Sequence, residues 1–164
     1  MNWAQAGRQN LRYEEYIMRK RAPGDTMLKM VGILMLVLGI FMAFGGAGSL
    51  ALVAKGQSEE VVRQYLTDNQ ITYGQMLAGA VISCVAGVIY LAAGIGGVKY
   101  SNRPEKANQC IVLGVLLVAE IILEVIYNIV LGQFQLYTIV SMLALPLLYL
   151  WGAYRNKQAQ GSIL

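Results

Sequence analysis

Four long apolar runs, separated by short polar segments, dominate the sequence. They cover roughly residues 27–54, 71–98, 107–131 and 134–154. A helix rises about 1.5 Å per residue, so about 20 apolar residues span the hydrocarbon core of a bilayer. Apolar runs of this length are typical of membrane spans. The pattern therefore predicts an all-α membrane protein, in which residues 27–154 form a bundle of four transmembrane helices.

The polar segments complete the predicted organisation. Residues 1–26 form a basic juxtamembrane segment, which is either a solvated flank or a helix that lies on anionic headgroups with Trp3 as an anchor. Residues 55–70 form a loop in which residues 61–66 give a short helix an apolar side. That side either rests on the ends of the spans or binds a partner. Residues 155–164 form a polar tail.

The distribution of lysine and arginine predicts the orientation. All but Lys55 and Arg63 of the 13 lysines and arginines lie before the first run, at its start, in the turn at residues 99–106 or in the tail. Positive residues accumulate on the cytoplasmic side of membrane proteins. Both termini are therefore predicted to be cytoplasmic, in a multi-pass protein of the cell membrane whose loop helix is extracellular.

Small residues recur at every fourth position in the first two runs. The two strips consist of Gly39, Ala43 and Ala47 in the first run and of Gly79, Ser83 and Gly87 in the second. Small residues at this spacing let helix backbones approach closely in a membrane. We expect both strips to mediate helix packing, either within the bundle or between protomers.

The third run carries two glutamates within its apolar body. Glu120, Glu124 and Asn128 are spaced by four and fall along one stripe of a helix. No lysine or arginine lies deep within any of the four runs, so the carboxyls have no obvious basic partner. Because hydrocarbon strongly disfavours an ionised carboxylate, we expect at least one of the two to carry a proton at neutral pH. Counting inward from the outer ends of the runs places Ser83 between the levels of the two glutamates and Ser141 at or outside the level of Glu124.

Three roles are open for this candidate intramembrane polar site. Protonated glutamates can hydrogen-bond to Ser83, Ser141 or backbone carbonyls and hold the bundle together. Alternatively, the carboxyls can bind a proton or a small cation, since ionisable groups within membranes commonly lie on ion pathways. A third role is to meet a cationic residue of a partner protein.

Composition argues against several other functions. The sequence has no histidine, so the commonest general base and metal ligand is missing, and 13% of its residues are charged, against about 25% in soluble domains. Cys84 and Cys110 are predicted to lie at different depths and to remain unpaired thiols. No motif for a cofactor, a metal or nucleic acid accompanies the net charge of +4. We expect no enzyme activity, catalytic residue, cofactor, metal or nucleic-acid partner.

The predicted layout is similar in outline to the tetraspan architecture of claudin-like and MARVEL-type proteins. The shared features are four spans, both ends inside, a larger first external loop and a very short second one. The first loop lacks the tryptophan and paired cysteines of claudins, so none of their functional residues carries over. Small multidrug exporters also have four short spans and a membrane glutamate, but theirs lies in the first span, which here has none. The resemblance is one of topology alone.

Two functional hypotheses follow from these patterns. The first is a non-enzymatic tetraspan protein that assembles with itself or with another membrane protein through its small-residue strips and external loop. The alternative is a small proton- or cation-coupled transporter or channel that uses Glu120 and Glu124. In both cases the lipid bilayer is the immediate partner of the chain.

Overall fold

The structure, a computed structural model, describes residues 22–56, 58–133 and 135–161. The juxtamembrane helix considered for the N-terminal segment lies outside these ranges. Within them every regular element is helical, and no strand occurs. The elements are α1 (Asp25–Lys55), α2 (Glu60–Asn69), α3 (Tyr73–Tyr100), a 3-10 turn (Pro104–Lys106), α4 (Ala107–Val130) and α5 (Leu136–Gly161).

Three of the described helices are long and apolar enough to cross a membrane. They are α1, α3 and α4, the last taken together with the 3-10 turn before it. Large apolar side chains on these helices point outward, and Phe41 and Phe44 of α1 are 71% and 76% exposed. Most buried residues of α3 are glycines or alanines, and glycines lie buried on α1 beside larger apolar side chains. An apolar exterior over closely packed small residues is typical of a membrane protein, as the apolar runs predicted.

The long helices form a ring in which each packs against its neighbours in the chain. α3 packs on α1, α4 packs on α3, and α5 packs on both α4 and α1. α4 and α5 are joined by a short turn and run antiparallel, with Gly114 of α4 against Leu150 of α5. The ring has a loop end, which carries residues 56–72, and an opposite end, which carries the turn at residues 101–106. We call the opposite end the Asn156 end.

α1 and α3 pack antiparallel through a seam of small residues. The seam consists of glycines that recur every seven residues: Gly32, Gly39 and Gly46 on α1, and Gly87 and Gly94 on α3. A Cβ atom at Gly39 would lie 2.8 Å from Leu91 N, and one at Gly46 would lie 2.7 Å from Cys84 N. Only glycine at these positions lets the two backbones approach this closely. A seven-residue repeat is typical of helices that cross at a shallow, left-handed angle.

The main apolar core lies between the Asn156 end and the middle of the bundle. Its buried members come from all four long helices and include Leu28, Met35, Ala93, Leu117 and Tyr149. Toward the loop end the packing is looser, because the described side chains of residues 136–145 on α5 are all exposed or half-buried. The bundle is therefore closed at the Asn156 end and more open at the loop end.

A buried asparagine joins three segments at the Asn156 end. Asn156 is fully buried on α5. Its Oδ1 accepts a hydrogen bond from Gly24 N at 2.7 Å, and its Nδ2 donates one to Ser101 O at 2.6 Å. α5 continues to Gly161, so residues 155–161, which belong to the predicted polar tail, are helical.

The loop between α1 and α3 contains the predicted short helix, α2. Val62 of α2 is fully buried against Val53 and Met76. Val61 and Tyr65, which the sequence places on the same apolar side, are 56% and 41% exposed. Part of the predicted apolar side therefore rests on the ends of the long helices, and part of it remains exposed.

Candidate functional site

α4 carries the two carboxyls to the middle of the bundle. Glu120 and Glu124 lie one helical turn apart on α4, and Glu120 is level with Ala86, near the midpoint of α3. Glu120 is 3% exposed, and neither of its carboxyl oxygens has a hydrogen-bond partner among the described residues. Glu124 is half-buried. Burying a polar group without a partner costs free energy, so packing alone does not account for Glu120.

Both carboxyls line a cavity of about 90 Å³, which we call the Glu120 cavity. Its polar lining consists of Ser83 from α3 and of Glu120, Glu124, Tyr127 and Asn128 from α4. Met42 of α1 and Ala86 of α3 form part of its apolar wall. One water molecule occupies about 30 Å³ of liquid volume, so the cavity is large enough for a few waters or for a small ion.

The neutral polar groups of the lining donate hydrogen bonds to backbone carbonyls. Ser83 Oγ donates to Met42 O at 3.2 Å, and Tyr127 Oη donates to Gln75 O at 2.8 Å. Asn128 Nδ2 donates to Glu124 O, one helical turn earlier, at 3.0 Å. The two hydroxyls have thus used their single donor hydrogen and keep oxygen lone pairs. The amide of Asn128 likewise keeps its oxygen as an acceptor.

Tyr127 occupies the space left by the missing side chain of Gly79. A Cβ atom at Gly79 would lie 2.5 Å from Tyr127 Oη and 3.0 Å from its Cζ. Gly79 was predicted to mediate helix packing, and it contacts α4 through this tyrosine. The tyrosine covers the cavity on the side toward the loop end, where its hydroxyl reaches Gln75 in the first turn of α3.

A second cavity, of about 150 Å³, lies between α4 and α5 at the loop end. We call it the amide cavity, because Asn128, Gln133 and Gln135 contribute to its lining. Glu124 and Asn128 line both cavities. Gln133 and Gln135 belong to the exposed turn between α4 and α5. Polar lining therefore extends from the loop end of the bundle to Glu120.

The bundle is closed between Glu120 and the Asn156 end. Met35, Leu117 and Tyr149 are fully buried there. No lysine or arginine lines either cavity in the described part of the chain. The same part contains no group of three or more cysteines and carboxylates able to hold a metal ion, and Cys84 and Cys110 are free thiols.

The structure brings most of the predicted polar site together. Glu120, Glu124, Asn128 and Ser83 all line the Glu120 cavity. Ser141 does not line it, because this serine is exposed on α5 and its Oγ donates to Tyr137 O of the same helix at 2.9 Å.

Part of each predicted small-residue strip lies at the contact between α1 and α3. Gly39 and Ala43 of α1 lie against Gly87 of α3, since a Cβ atom at Gly87 would lie 2.7 Å from Ala43 N and one at Gly39 would lie 3.1 Å from Gly87 O. Ala47 is exposed, and the neighbouring Gly46 makes the contact with α3 instead.

Met42 is a site residue that no sequence pattern singled out, whereas Tyr127 and Asn128 continue the polar stripe outward from Glu124. Met42 contributes its backbone carbonyl, a group that every residue carries, so no sequence signal marks it. Tyr127 did carry a signal: it is an aromatic hydroxyl next to Asn128 in an otherwise apolar stretch. Its partner Gly79 supplies the complementary gap on α3.

No protein-family model, curated protein or solved structure matches this chain. The functional argument therefore rests on the geometry of the two cavities and on the three apolar helices.

Proposed function

We propose that this chain crosses the membrane four times and binds protons or small cations in the Glu120 cavity, as a small transporter or channel. The observation that carries the proposal is Glu120 itself, which is 3% exposed, borders a polar cavity and has carboxyl oxygens with no hydrogen-bond partner among the described residues. Ionisable groups at the centre of a membrane are costly and commonly mark ion or proton pathways.

The hydrogen bonds that a purely structural role requires are missing around Glu120. Ser83 donates to the Met42 carbonyl, and Ser141 donates to its own helix. Neither serine is bonded to a glutamate, so the carboxyls do not hold helices together through these partners. A site that binds a mobile proton or cation gives the carboxyl a partner when the ligand is bound.

The arrangement of α5 supports a fourth span. α5 has 26 residues, which corresponds to about 39 Å of helix, and it packs antiparallel along α4 after a short turn. If α4 crosses the bilayer, a helix packed along it must cross back. Lys99, Arg103 and Lys106 gather at the Asn156 end, which supports a cytoplasmic location for that end.

The closed half of the bundle supports a transporter over a permanently open channel. Polar lining leads from the loop end to Glu120, whereas Met35, Leu117 and Tyr149 fill the interior beyond it. A ligand at Glu120 therefore reaches the other side only after the helices move. Alternating access around a site near the midplane is the usual solution in secondary transporters.

Flux into proteoliposomes tests the proposal. Purified wild-type protein and Glu120→Gln are compared under an imposed proton gradient and under imposed cation gradients. We expect flux in the wild type and its loss in Glu120→Gln, because the amide keeps the size of the side chain but cannot ionise. Glu60→Gln, which changes an exposed carboxyl on α2, is the matched control and should retain the wild-type flux. Equal flux in wild type and Glu120→Gln would contradict the proposal.

Self-assembly is the second candidate function, and it has its own support. Gly45 and Gly48 of α1 face outward, with no other part of the described chain within 4 Å of a Cβ atom built at either one. Ala47 is exposed beside them. An outward patch of small residues lets a helix of a second copy approach closely. Light scattering in mild detergent should show an oligomer that Gly48→Leu disrupts and that Ala92→Leu, a similar small-to-large change at an exposed position of α3, leaves intact. A monomeric wild type would rule this candidate out.

A further inference from the structure

The two carboxyls of α4 differ in how far they are open to solvent. Both carboxyl oxygens of Glu120 are closed to water, and neither has a hydrogen-bond partner among the described residues. Glu124 is half-buried, and its carboxyl is not among the oxygens that are closed to solvent in the described part of the chain. Glu124 lines the amide cavity, whereas Glu120 does not. Solvent that enters from the loop end therefore meets Glu124 before Glu120.

The closed position of Glu120 favours a proton over any larger ligand. A metal ion binds a carboxylate through direct contact with its oxygens, together with several other oxygen ligands. Nothing of the size of water reaches the oxygens of Glu120. A proton has no such requirement, because a neighbouring oxygen within hydrogen-bond reach can deliver it. A protonated carboxyl is also neutral, so it remains in the interior without a compensating charge.

Glu124 is placed to deliver that proton. Side chains four residues apart on a helix are neighbours, with about 5–6 Å between their Cβ atoms, so two glutamates at this spacing can bring their carboxyls together by rotation of their side chains. Glu124 is also the one titratable group of the described chain that lines both cavities. Tyr127 covers the Glu120 cavity toward the loop end, and its hydroxyl hydrogen is engaged by the Gln75 carbonyl. The carboxyl of Glu124 is therefore the direct connection between Glu120 and the amide cavity.

We propose that Glu124 transfers protons between the amide cavity and Glu120, and that the proton is the ligand of Glu120. This inference rests on the proposed function, and it narrows the ligand from protons or small cations to the proton. The ionised Glu124 carboxylate takes a proton from a hydronium ion in the amide cavity, which leaves water. When Glu120 is ionised, one O–H bond then breaks at Glu124 as one forms at Glu120. Chains of carboxyls are common proton relays in membrane pumps and transporters.

The surroundings of the two carboxyls contain no positive charge that would hold either of them ionised. No lysine or arginine of the described chain lines either cavity. Met42 faces the pair from α1, and Ile139 and Met142 face Glu124 from α5. The other titratable groups nearby are Tyr90 of α3, which lies close to both glutamates, and Tyr127 of α4. An ordinary tyrosine titrates at about pH 10, so near neutral pH the exchangeable charge belongs to the two carboxyls.

Deuterium exchange at the Glu120 carboxyl measures the transfer without any need for flux. A protonated carboxyl has its own C=O stretching band in the infrared spectrum, and the band that disappears in Glu120→Gln belongs to Glu120. Wild-type protein in lipid bilayers is moved into D₂O at fixed pD, and the shift of this band is followed with time. We expect Glu124→Gln to slow the shift about a hundredfold, because the amide keeps the size of the side chain but has no carboxyl proton to transfer.

Two further variants distinguish proton transfer from a structural effect. Glu124→Asp keeps a carboxyl at this position, so exchange should recover to within about tenfold of the wild-type rate. Asn128 also lines both cavities, but its amide does not titrate. Asn128→Ala therefore changes the same lining without removing the relay, and it should leave the exchange rate within about threefold of wild type.

The outcomes separate this inference from the proposed function. Slow exchange in Glu124→Gln that recovers in Glu124→Asp and is not seen in Asn128→Ala supports transfer through Glu124, even if no flux occurs in proteoliposomes. Equal exchange in wild type and Glu124→Gln overturns the inference, and so does equally slow exchange in Glu124→Gln and Asn128→Ala. A Glu120 that shows no protonated band at neutral pH overturns it as well. If Glu120→Gln abolishes a flux of Na⁺ or K⁺, the proposed function stands and the assignment of the proton as the ligand does not.

Discussion

At the scale of single residues, Asn156 and Glu120 show two opposite ways in which this bundle treats a buried polar side chain. Asn156 is fully buried, and both ends of its amide are hydrogen-bonded, one to Gly24 and one to Ser101. Glu120 is almost as deeply buried, and its oxygens have no partner among the described residues. The satisfied group stabilises one fixed arrangement, whereas the unsatisfied group is suited to a ligand that comes and goes.

The role of Asn156 leads to a stability prediction. Asn156→Ala leaves the Gly24 N–H and the Ser101 carbonyl without their partner and creates a small void. We expect it to lower the free energy of unfolding by about 2–4 kcal/mol. Gln158→Ala, on an exposed position of the same helix, should change it by less than about 0.5 kcal/mol. Denaturation of both variants in one detergent measures the difference. If the two unfold alike, the amide does not join the three segments.

At the scale of helices, the α1–α3 pair depends on close approach of the two backbones. A Cβ atom at Gly39 would meet Leu91 N at 2.8 Å and Gly87 O at 3.1 Å, and neither backbone atom can rotate away. The two helices must therefore separate to admit a methyl group. The carbonyl of Met42, which accepts the hydrogen bond of Ser83, lies on the same side of the pair, so their separation would also disturb the cavity.

Gly39→Ala should therefore lower the free energy of unfolding by about 1–3 kcal/mol, which is the usual cost of overpacking. Gly48→Ala makes the same change in the same helix, where no neighbouring atom lies within 4 Å of the added Cβ. Alanine has the higher helix propensity, so this control should be unchanged or up to about 1 kcal/mol more stable. Unfolding curves of both variants in one detergent measure this difference. A Gly39→Ala protein as stable as the wild type would show that the two helices are not closely packed at this seam.

The sequence predicted the helices well because the length of an apolar run determines where a span begins and ends. The bounds of α1, α3 and α4 agree closely with the first three predicted runs. Position along each apolar run could also be counted, and the structure places Ser83 in the same cavity lining as the two glutamates. The direction in which a side chain points around its helix axis could not be derived in this way. Ser141 has a suitable depth but lies on the exposed side of α5, away from the cavity.

The same limitation explains the small-residue strips. A spacing of four connects Gly39, Ala43 and Ala47, but the helices meet along a seven-residue repeat that passes through Gly46. Both spacings occur in the sequence, and only the crossing angle of the two helices selects between them. That angle depends on how α3 and α5 pack around α1, which no local pattern contains. The hydrogen bond from Ser83 to the Met42 carbonyl was equally hidden, because it involves a backbone acceptor.

At the scale of the whole molecule, the proposed transport depends on a difference between the two ends of the bundle. Polar lining reaches Glu120 from the loop end, and the apolar core closes the Asn156 end. This asymmetry serves vectorial transport only if the loop end and the Asn156 end face different compartments. In the proposed arrangement of four spans, the turn after α4 lies on the side of α2, and residues 101–106 lie on the side of the α5 C-terminus.

Accessibility of single cysteines tests this topology. In a background with Cys84→Ala and Cys110→Ala, one cysteine is introduced at Ser58, Gln133, Glu105 or Gln158, all of which are exposed. A membrane-impermeant maleimide applied to intact cells should label Ser58→Cys and Gln133→Cys, and it should reach the other two only after permeabilisation. The comparison of Gln133→Cys with Gln158→Cys is decisive for α5, because Gln133 precedes the helix and Gln158 lies in its last turn. If both label from the same side, α5 does not cross. In that case, the polar path from the loop end would belong to a bundle with three spans. The argument for alternating access at Glu120 depends on the fourth span, so it would no longer hold.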